Sequence, residues 1–236
     1  PVSDDGELIM SAFEALLGPK TKLVAVAHMS NVMGTILPVE DIIRRAHAVG
    51  AKVLLDGCQS VTHIPVDMQA LGCDFYVFSG HKLYGPSGIG VMYGSEELLD
   101  AMPPFMGGGD MISSVTFEAS TWAKLPHKFE AGTPAIVQAI GLGAAIDYVN
   151  AIGLESISTH EADLLNYATP KLSSVDGLRI ICTAPSKASV ISFTLDFANP
   201  HDIAPIIDRA GFAVRARPPC PHPPMSRRGV AENVCA

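Results

Sequence analysis

Two short segments of the chain combine side chains that can carry out covalent and acid–base chemistry. The segment SGHKLYGP places a hydroxyl, an imidazole and an amine close together, those of Ser79, His81 and Lys82. The segment LLDGCQS contains the carboxylate of Asp56 and, three residues later, the amide of Gln59. A lysine amine can condense with an aldehyde, and a carboxylate beside a ring nitrogen can keep that ring cationic. Together these groups predict a site for a heterocyclic aldehyde.

The polar residues follow predicted β-strands. The apolar pattern predicts strands over residues 22–29, 52–57, 74–80 and 88–94, and helices over 38–49 and 95–102. Alternating strands and helices imply right-handed crossovers and a largely parallel sheet. Asn31, Asp56 and Lys82 then lie at or just beyond the carboxyl ends of three strands, where open α/β sheets bind their ligands.

Each of these residues has an ordinary structural explanation when it is taken alone. Asp-Gly after a strand is common turn chemistry, and a loop lysine is usually solvated. The combination is harder to explain as a turn, because Gly80-His81-Lys82 is bracketed by Ser79 and by Gly85-Pro86. Pyridoxal 5′-phosphate requires an amine for its aldehyde, a carboxylate for its pyridine nitrogen and short polar groups for its phosphate. The sequence therefore predicts a pyridoxal-phosphate site around Lys82.

The second part of the chain has a different pattern. Residues 103–114, with paired prolines and three consecutive glycines, are predicted as a loop. Helices are predicted over 134–151, 155–172 and 200–210, and strands over 179–182 and 188–195. Pro205 is out of place in the last helix, since a proline inside a helix costs about 3 kcal/mol. The change to an α+β pattern predicts two domains, residues 1–150 and residues 151–236.

Composition argues against several classes of protein. Hydrophobic residues make up 48% and charged residues 17% of the chain, which is too apolar for a disordered protein. The net charge is −8 and no Lys/Arg run is longer than two, so we expect no nucleic-acid partner. No apolar run reaches the roughly 18 residues of a membrane span, and the first residues do not form a signal peptide. We therefore expect a cytoplasmic protein without a membrane partner.

Four longer segments resemble a single family. They are SGHKLYGPSGIGVMYG, VLLDGCQSVTHIPVDMQALGCDFYVFSG, MGGGDMI and FEAGTPAIVQAIGLGAAIDY. These segments resemble cysteine desulfurases of the SufS/CsdA type, in the class V aminotransferase superfamily. The resemblance extends from about residue 7 to residue 217. It implies an α/β, fold-type I pyridoxal-phosphate-dependent transferase, with a mostly parallel large domain and a smaller α+β C-terminal domain, both partial in this chain.

The resemblance also implies a role for each candidate residue. Lys82 matches the lysine that binds the cofactor covalently, and His81 matches a phosphate ligand that also assists proton transfer. Asp56 matches the partner of the pyridine nitrogen, and Gln59 matches the residue that binds the ring hydroxyl. Further contacts with the cofactor are implied for Asn31 and, at the phosphate, for Ser79.

The resemblance at Thr133 concerns the oligomeric state of the protein. Thr133, in the segment AGTP, matches a threonine that reaches the phosphate of the other subunit's cofactor. The resemblance therefore implies a homodimer. The position of Thr133 before Pro134 is equally consistent with a helix cap, and both roles can hold together.

A cysteine matches the family's second nucleophile. Cys220 lies in PPCPHPP, where the prolines predict an exposed loop in which a thiol can ionise. The resemblance implies that L-cysteine is converted to L-alanine with a persulfide on Cys220, and that an acceptor protein of iron–sulfur cluster assembly takes the sulfur. Cys220 and His222 alone do not make a metal site. We expect small buried side chains at three other cysteines, Cys58, Cys73 and Cys182.

The chain departs from the family pattern near both ends. Arg217-Pro218-Pro219 replaces the family's Gly-His-His or Gly-Thr-His. An ungapped match places Cys235 where the family has an arginine for the substrate carboxylate, a role that cysteine cannot fill. The family's N-terminal third is expected to be missing. Two alternatives therefore stay open: a non-catalytic, truncated or frameshifted remnant, and another class V activity such as selenocysteine lyase acting on L-selenocysteine.

Overall fold

The first sheet brings together the strands that precede the candidate residues. The computed structural model describes residues 1–217 and 233–235. The first sheet has the order β1-β2-β3-β4, with β1 at Leu23–Ala27, β2 at Lys52–Asp56, β3 at Phe75–Ser79 and β4 at Gly90–Gly94. The first three strands are parallel, and β4 is antiparallel to β3. The predicted strands and the mostly parallel sheet are confirmed.

The direction of β4 follows from the length of its connection. Only residues 80–89 separate β3 from β4. A parallel pair needs a crossover of about a dozen or more residues, usually through a helix. The short connection therefore returns the chain as an antiparallel strand, and it contains Lys82.

The core of this region lies between the sheet and the helices packed on it. These helices are α1 at Met10–Leu16, α2 at Val39–Ala48, α3 at Ser60–His63 and α4 at Met68–Leu71, and α5 at Glu96–Ala101 follows β4. The predicted apolar stripe of α2 is buried, and it packs with Val53, Leu55 and Tyr76 of the sheet. Fully burying such an aliphatic side chain contributes about 1.5–3 kcal/mol, so this cluster holds α2 against β2 and β3.

A small hairpin replaces part of the predicted loop. Strand β5 at Ile112–Val115 pairs antiparallel with β6 at Ser120–Trp122. The expectation of a loop over 103–114 is therefore wrong for the residues from Ile112. The sequence ISSV has no alternation of buried and exposed residues to reveal a strand, and the Ser114 and Thr121 hydroxyls pair across the hairpin at 2.6 Å.

A second sheet follows two long helices. A short 3-10 helix at His127–Phe129 leads to α6 at Ile136–Ile152 and α7 at Leu154–Ser173. The sheet has the order β7-β8-β10-β9 and is antiparallel, with β7 at Leu178–Ile180, β8 at Ser192–Leu195, β9 at Arg215–Arg217 and β10 at Asn233–Cys235. Helix α8, Pro200–Arg209, packs on it through Ile203. The three predicted helices are confirmed, and α8 continues through Pro205.

The predicted strand over 188–195 is shorter than expected. Ala188, its first residue, and Ser186, two residues earlier, instead bind the loop that follows β1. The Ala188 N–H donates to the Gly34 carbonyl at 2.9 Å, and the Ile36 N–H donates to the Ser186 carbonyl at 3.0 Å. A small buried cluster of Met33, Cys182 and Ala184 adds to this contact. The second half of the chain is therefore joined directly to the carboxyl end of β1.

The division into two domains near residue 150 stays a prediction. One four-stranded sheet and the β5–β6 hairpin are formed before this position, and the other four-stranded sheet is formed after it. Helices α6 and α7 meet at Gly153, which has a φ of +87°. Within the described part of the chain, no single helix has the length and composition of a membrane span, and α6 and α7 meet that test only as a pair bent by 69°.

Candidate active site

The candidate residues of the first region lie at one edge of the sheet. Asp56 is the last residue of β2 and pairs in register with Ala27, the last residue of β1. Ser79 is the last residue of β3, and Lys82 ends the 3-10 helix Gly80–Lys82 that follows. Asn31 lies in the exposed turn after β1. The structure thus places them at the carboxyl edge, as the sequence predicts.

Backbone hydrogen bonds fix the turn that carries Asp56. The Asp56 carbonyl accepts the His28 N–H at 2.8 Å, and the Gly57 N–H donates to the Val77 carbonyl at 2.8 Å. The Asp56 Oδ1 atom accepts the Cys58 N–H at 2.9 Å. Each bond restrains a different part of the turn, so the Asp56 carboxylate has a defined direction relative to β1 and β3.

A tyrosine lies directly beneath this turn. A Cβ atom at Gly57 would lie 1.9 Å from the nearest Tyr76 ring atom, so a side chain at Gly57 would collide with the ring. Tyr76 is fully buried, and its hydroxyl pairs with Ser60 Oγ at 2.6 Å and with His28 Nδ1 at 3.1 Å. Burial raises the pKa of Tyr76 to about 12 and lowers the pKa of His28, so both groups are neutral near pH 7.

The loop after β3 is tightly wound around Lys82. The Gly80 carbonyl accepts the N–H groups of Leu83 at 2.9 Å and Gly85 at 3.0 Å. Tyr84 has a φ of +57°, a left-handed conformation that is strained for an aromatic residue. The side chain of Lys82 is exposed, and no ion pair involves it among the described residues.

Two side-chain contacts join the Asp56 and Lys82 loops. The Thr62 hydroxyl, in helix α3, donates to the Lys82 carbonyl at 2.8 Å. The Cys58 thiol and the Ser79 hydroxyl lie 3.5 Å apart. Cys58 is only half-buried, so the expectation of a buried structural thiol is wrong at this position. It is confirmed for Cys73 and Cys182, which are both buried.

Sequence reasoning missed the residues that support the site. His28, Ser60, Thr62 and Tyr76 were not candidates. A histidine inside an apolar strand and a tyrosine at a buried strand position were the available signals, because buried polar atoms almost always have partners. Their partners are distant in sequence and could not be read from it.

Other candidates lie elsewhere. Thr133 is exposed and precedes α6, whose N-cap residue is Ala135 with no side-chain cap, so the expectation of a Thr133 cap is wrong. Among the described residues, no hydrogen bond joins Thr133 to the other candidates.

A cavity of about 320 Å³ lies beside Thr133 and is lined by Asp110, His127, Glu130, Gly132 and Pro134. Cys220 lies outside the described residues.

The residues at the sheet edge suit the groups of pyridoxal phosphate. Within the described chain, Lys82 Nζ and Asp56 Oδ2 make no hydrogen bond or ion pair, so an amine and a carboxylate oxygen are available to a ligand. Ser79, His81 and Gln59 add hydroxyl, imidazole and amide groups on the same two loops. Together these side chains can react with an aldehyde and bind a pyridine nitrogen, a ring hydroxyl and a phosphate, which are the polar groups of pyridoxal phosphate.

The fold is that of a fold-type I α/β protein, with the candidate residues at the carboxyl edge of its mostly parallel sheet. The chain belongs to the aminotransferase class-V family, whose model matches residues 1–236. This confirms the resemblance on which the fold prediction was based.

Individual relatives are cysteine desulfurases. A cysteine desulfurase of Dickeya dadantii is 52% identical over 231 residues, 98% of this chain and 56% of that relative. The crystal structure of the Escherichia coli cysteine desulfurase CsdA matches with a TM-score of 0.94 at 34% identity, over 100% of this chain and 59% of that chain. The present chain spans 34–57% of the lengths of the curated relatives it matches.

A further solved structure contains the cofactor. A variant of C-DES with glycine covalently linked to its PLP cofactor matches with a TM-score of 0.82 at 25% identity, over 99% of this chain and 60% of that chain. A protein of the same fold therefore holds pyridoxal phosphate.

Proposed function

We propose that this chain is part of a pyridoxal-phosphate-dependent cysteine desulfurase. The enzyme converts L-cysteine to L-alanine and passes the sulfur, as a persulfide on Cys220, to an acceptor protein of iron–sulfur cluster assembly. The main support is the pairing of the Asp56 and Lys82 loops at the carboxyl edge of the sheet, where Thr62 and Ser79 join them. Relatives at about 50% identity that bear the name cysteine desulfurase give independent support.

The proposed cofactor contacts follow from the chemistry of each side chain. When bound, pyridoxal phosphate supplies an electron sink that stabilises negative charge at the substrate α-carbon. Asp56 retains a proton on the ring nitrogen, and Gln59 binds the ring hydroxyl. Ser79 and His81 donate hydrogen bonds to the phosphate, and Asn31 contacts the cofactor from the turn after β1.

Lys82 also moves a proton in the proposed reaction. Its Nζ atom takes the α-proton of L-cysteine and later returns a proton to the product. A base for this step must reach the substrate, and the Lys82 amine is exposed at the edge of the sheet. His81, the preceding residue, assists this transfer.

Cys220 accepts the sulfur. Its thiolate attacks the sulfur of the bound substrate, so that an S–S bond forms while the carbon–sulfur bond breaks. The electron pair of the broken bond stays with the substrate carbon, which then gains a proton and becomes the methyl group of L-alanine. The acceptor protein subsequently takes the sulfur from the persulfide.

The proposed enzyme is a homodimer. Helix α6, which follows Thr133, exposes large apolar side chains: Ile136, Val137 and Ile140 are 57%, 78% and 71% exposed. A contiguous apolar patch on a protein surface is typical of an interface. A second copy packed on this face would bring Thr133 to the partner's cofactor phosphate.

Product analysis tests the proposal. The chain is incubated with pyridoxal phosphate, L-cysteine and a thiol reductant, and released L-alanine and sulfide are measured. We expect Lys82→Ala and Cys220→Ser to lose at least about a hundredfold in rate, because they remove the base and the sulfur acceptor. Lys20→Ala and Cys73→Ser are matched controls, since Lys20 is exposed away from the site and Cys73 lies at the opposite end of β3.

The same assay separates the alternatives. Wild-type rates in Lys82→Ala would contradict the proposal. Alanine release from L-selenocysteine but not L-cysteine, unaffected by Cys220→Ser, would instead indicate a selenocysteine lyase. Absence of product from the wild-type chain would favour the non-catalytic remnant. The cytoplasmic location stays a prediction.

A further inference from the structure

The backbone carbonyl of Lys82 lacks the partners that a continuing helix would provide. The N–H of Gly85, three residues later, donates to the Gly80 carbonyl at 3.0 Å. The residue four positions later is Pro86, which has no N–H. The two backbone amides that normally bind a carbonyl at this position are therefore not available.

A side chain from a different element binds this carbonyl. Thr62 Oγ1 donates to the Lys82 carbonyl at 2.8 Å, and Thr62 is only 4% exposed. Because the donor side chain is buried, water competes only partly for this hydrogen bond, and removing the hydroxyl would leave the Lys82 carbonyl without this partner. The β-branched threonine side chain also has few rotamers, so the donor is held in place.

Thr62 belongs to a helix that is itself firmly anchored. Helix α3 begins immediately after Gln59, on the segment that carries Asp56. At its start, Ser60 Oγ pairs with the buried Tyr76 hydroxyl at 2.6 Å. At its end, His63 Nδ1 lies 2.9 Å from each carboxylate oxygen of Glu161 in α7. The hydrogen bond from Thr62 therefore connects the Lys82 backbone to a helix that is held at both ends and that directly continues the segment carrying Asp56.

The Lys82 loop needs such a connection. Tyr84, two residues beyond Lys82, has a φ of +57°. A strained conformation of this kind persists only where neighbouring contacts hold it. The loop has one 3-10 turn and an exposed lysine side chain. The buried side chain of Leu83 packs against α6, and the Thr62 hydroxyl holds the backbone at Lys82 itself.

We propose that Thr62 is a positioning residue for Lys82. Its hydroxyl fixes the backbone that carries the amine relative to the Asp56 carboxylate, so that both groups can bind the same cofactor. The inference rests on the proposed function, because it assumes that Lys82 and Asp56 serve one ligand. It assigns no direct contact between Thr62 and the substrate or the cofactor.

Reductive labelling of the full chain tests this role without an activity assay. The chain is incubated with pyridoxal 5′-phosphate, treated with borohydride and digested, and the mass label is measured at Lys82 and at the exposed Lys124. We expect Thr62→Val to lower the labelling rate at Lys82 by about fivefold to tenfold, the size expected for losing one partly buried hydrogen bond of about 1–1.4 kcal/mol. Labelling at Lys124 should not change.

Two further variants make the result specific. Thr62→Ser keeps the hydroxyl and should label Lys82 within about twofold of wild type. Thr169→Val removes a hydroxyl that also donates to a backbone carbonyl, that of Leu165 at 2.7 Å, but in α7. It should leave the Lys82 rate unchanged, because this hydrogen bond is local to α7.

The possible outcomes are distinguishable. Equal Lys82 labelling in wild type and Thr62→Val would overturn the inference while leaving the proposed function intact. A serine variant that labels fivefold more slowly would also overturn it, and this holds even if the valine variant does not fold. A wild-type chain without preferential labelling at Lys82 would overturn the proposed function and the inference together.

Discussion

At the scale of single residues, the chemistry at the edge of the sheet depends on side chains buried below it. Asp56 and Lys82 are exposed, whereas the groups that orient their loops are buried: Tyr76, Ser60 and Thr62. Hydroxyl groups suit this position because a single one can donate and accept. The Tyr76 hydroxyl makes hydrogen bonds with both Ser60 and His28, and its ring leaves room only for glycine at position 57.

Removing the Tyr76 hydroxyl should destabilise the fold. Tyr76→Phe leaves the ring in place but deprives Ser60 Oγ and His28 Nδ1 of a buried partner. We expect the free energy of unfolding to fall by about 1–3 kcal/mol, measured by urea denaturation near neutral pH. Tyr148→Phe is the control, because Tyr148 is 60% exposed. Equal losses in the two variants would show that the buried network contributes nothing specific.

Some site residues could be predicted from sequence, and others could not. Asp56 and Lys82 follow apolar strands, so their position at the sheet edge results from a general property of parallel sheets. Thr62 lies in a four-residue helix, and its acceptor is 20 residues away along the chain. Local sequence does not reveal that the Thr62 hydroxyl and the Lys82 carbonyl meet in the folded chain. The same limit applies to His28, which meets Tyr76 across 48 residues.

At the scale of secondary-structure elements, a buried carboxylate joins α2 to the sheet at the edge opposite the site. Asp74, just before β3, binds His47 Nε2 of α2 at 2.7 Å. Its Oδ2 atom also accepts the Val53 N–H of β2 at 2.8 Å, and Oδ1 lies 3.2 Å from Lys52 Nζ. Burial alone would raise the pKa of Asp74, but the hydrogen bonds from His47, Val53 and Lys52 outweigh it and lower the pKa.

The lowered pKa of Asp74 predicts a pH-dependent contribution to stability. A carboxylate whose pKa is lower in the folded chain stabilises the fold above its ordinary pKa of 3.8, and this contribution is lost as the pH falls through the folded-state value. Asp74→Asn should therefore reduce the free energy of unfolding by about 1–3 kcal/mol at pH 7, because it weakens a buried charged hydrogen-bond network.

The difference between wild type and Asp74→Asn should shrink as the pH falls below 3.8, the ordinary value for this carboxyl. Urea midpoints measured over a pH series test this. Asp163→Asn, at an exposed position in α7, is the control and should show little effect at any pH. A difference that is constant across the series would contradict a charge-based role for Asp74.

The elements themselves were predictable to different degrees. Helix α2 was clear because four of its apolar residues, Val39, Ile42, Ile43 and Ala46, repeat at helical spacing and are buried. Strand β5 was not recognised, because its pairing depends on hydroxyl contacts with β6 rather than on a buried face. The predicted strand over 188–195 begins later than expected, because Ala188 binds Gly34 in the loop after β1 instead of a neighbouring strand. Gly34 is more than 150 residues away along the chain, so this contact could not be read from local sequence.

At the scale of the whole molecule, α6 and β4 each expose several large apolar side chains. On β4, Val91, Met92 and Tyr93 are 40%, 45% and 36% exposed. On α6, three large apolar side chains near the N-terminus of the helix are more than half exposed. Exposed large apolar side chains are common singly, but such groups on neighbouring turns are typical of an interface.

A substitution at Val137, which lies on α6 and is 78% exposed, tests whether α6 forms the interface of the proposed dimer. In a two-fold symmetric interface each substitution occurs twice, so Val137→Glu would place two charges in an apolar contact. We expect its dimer dissociation constant, measured by analytical ultracentrifugation, to rise at least about tenfold, which corresponds to about 1.4 kcal/mol. Leu164→Glu, at a residue of α7 that is 52% exposed, is the matched control and should leave the constant unchanged. A wild-type chain that sediments as a monomer at concentrations that saturate it with cofactor, or a Leu164→Glu effect as large as that of Val137→Glu, would contradict an interface on α6.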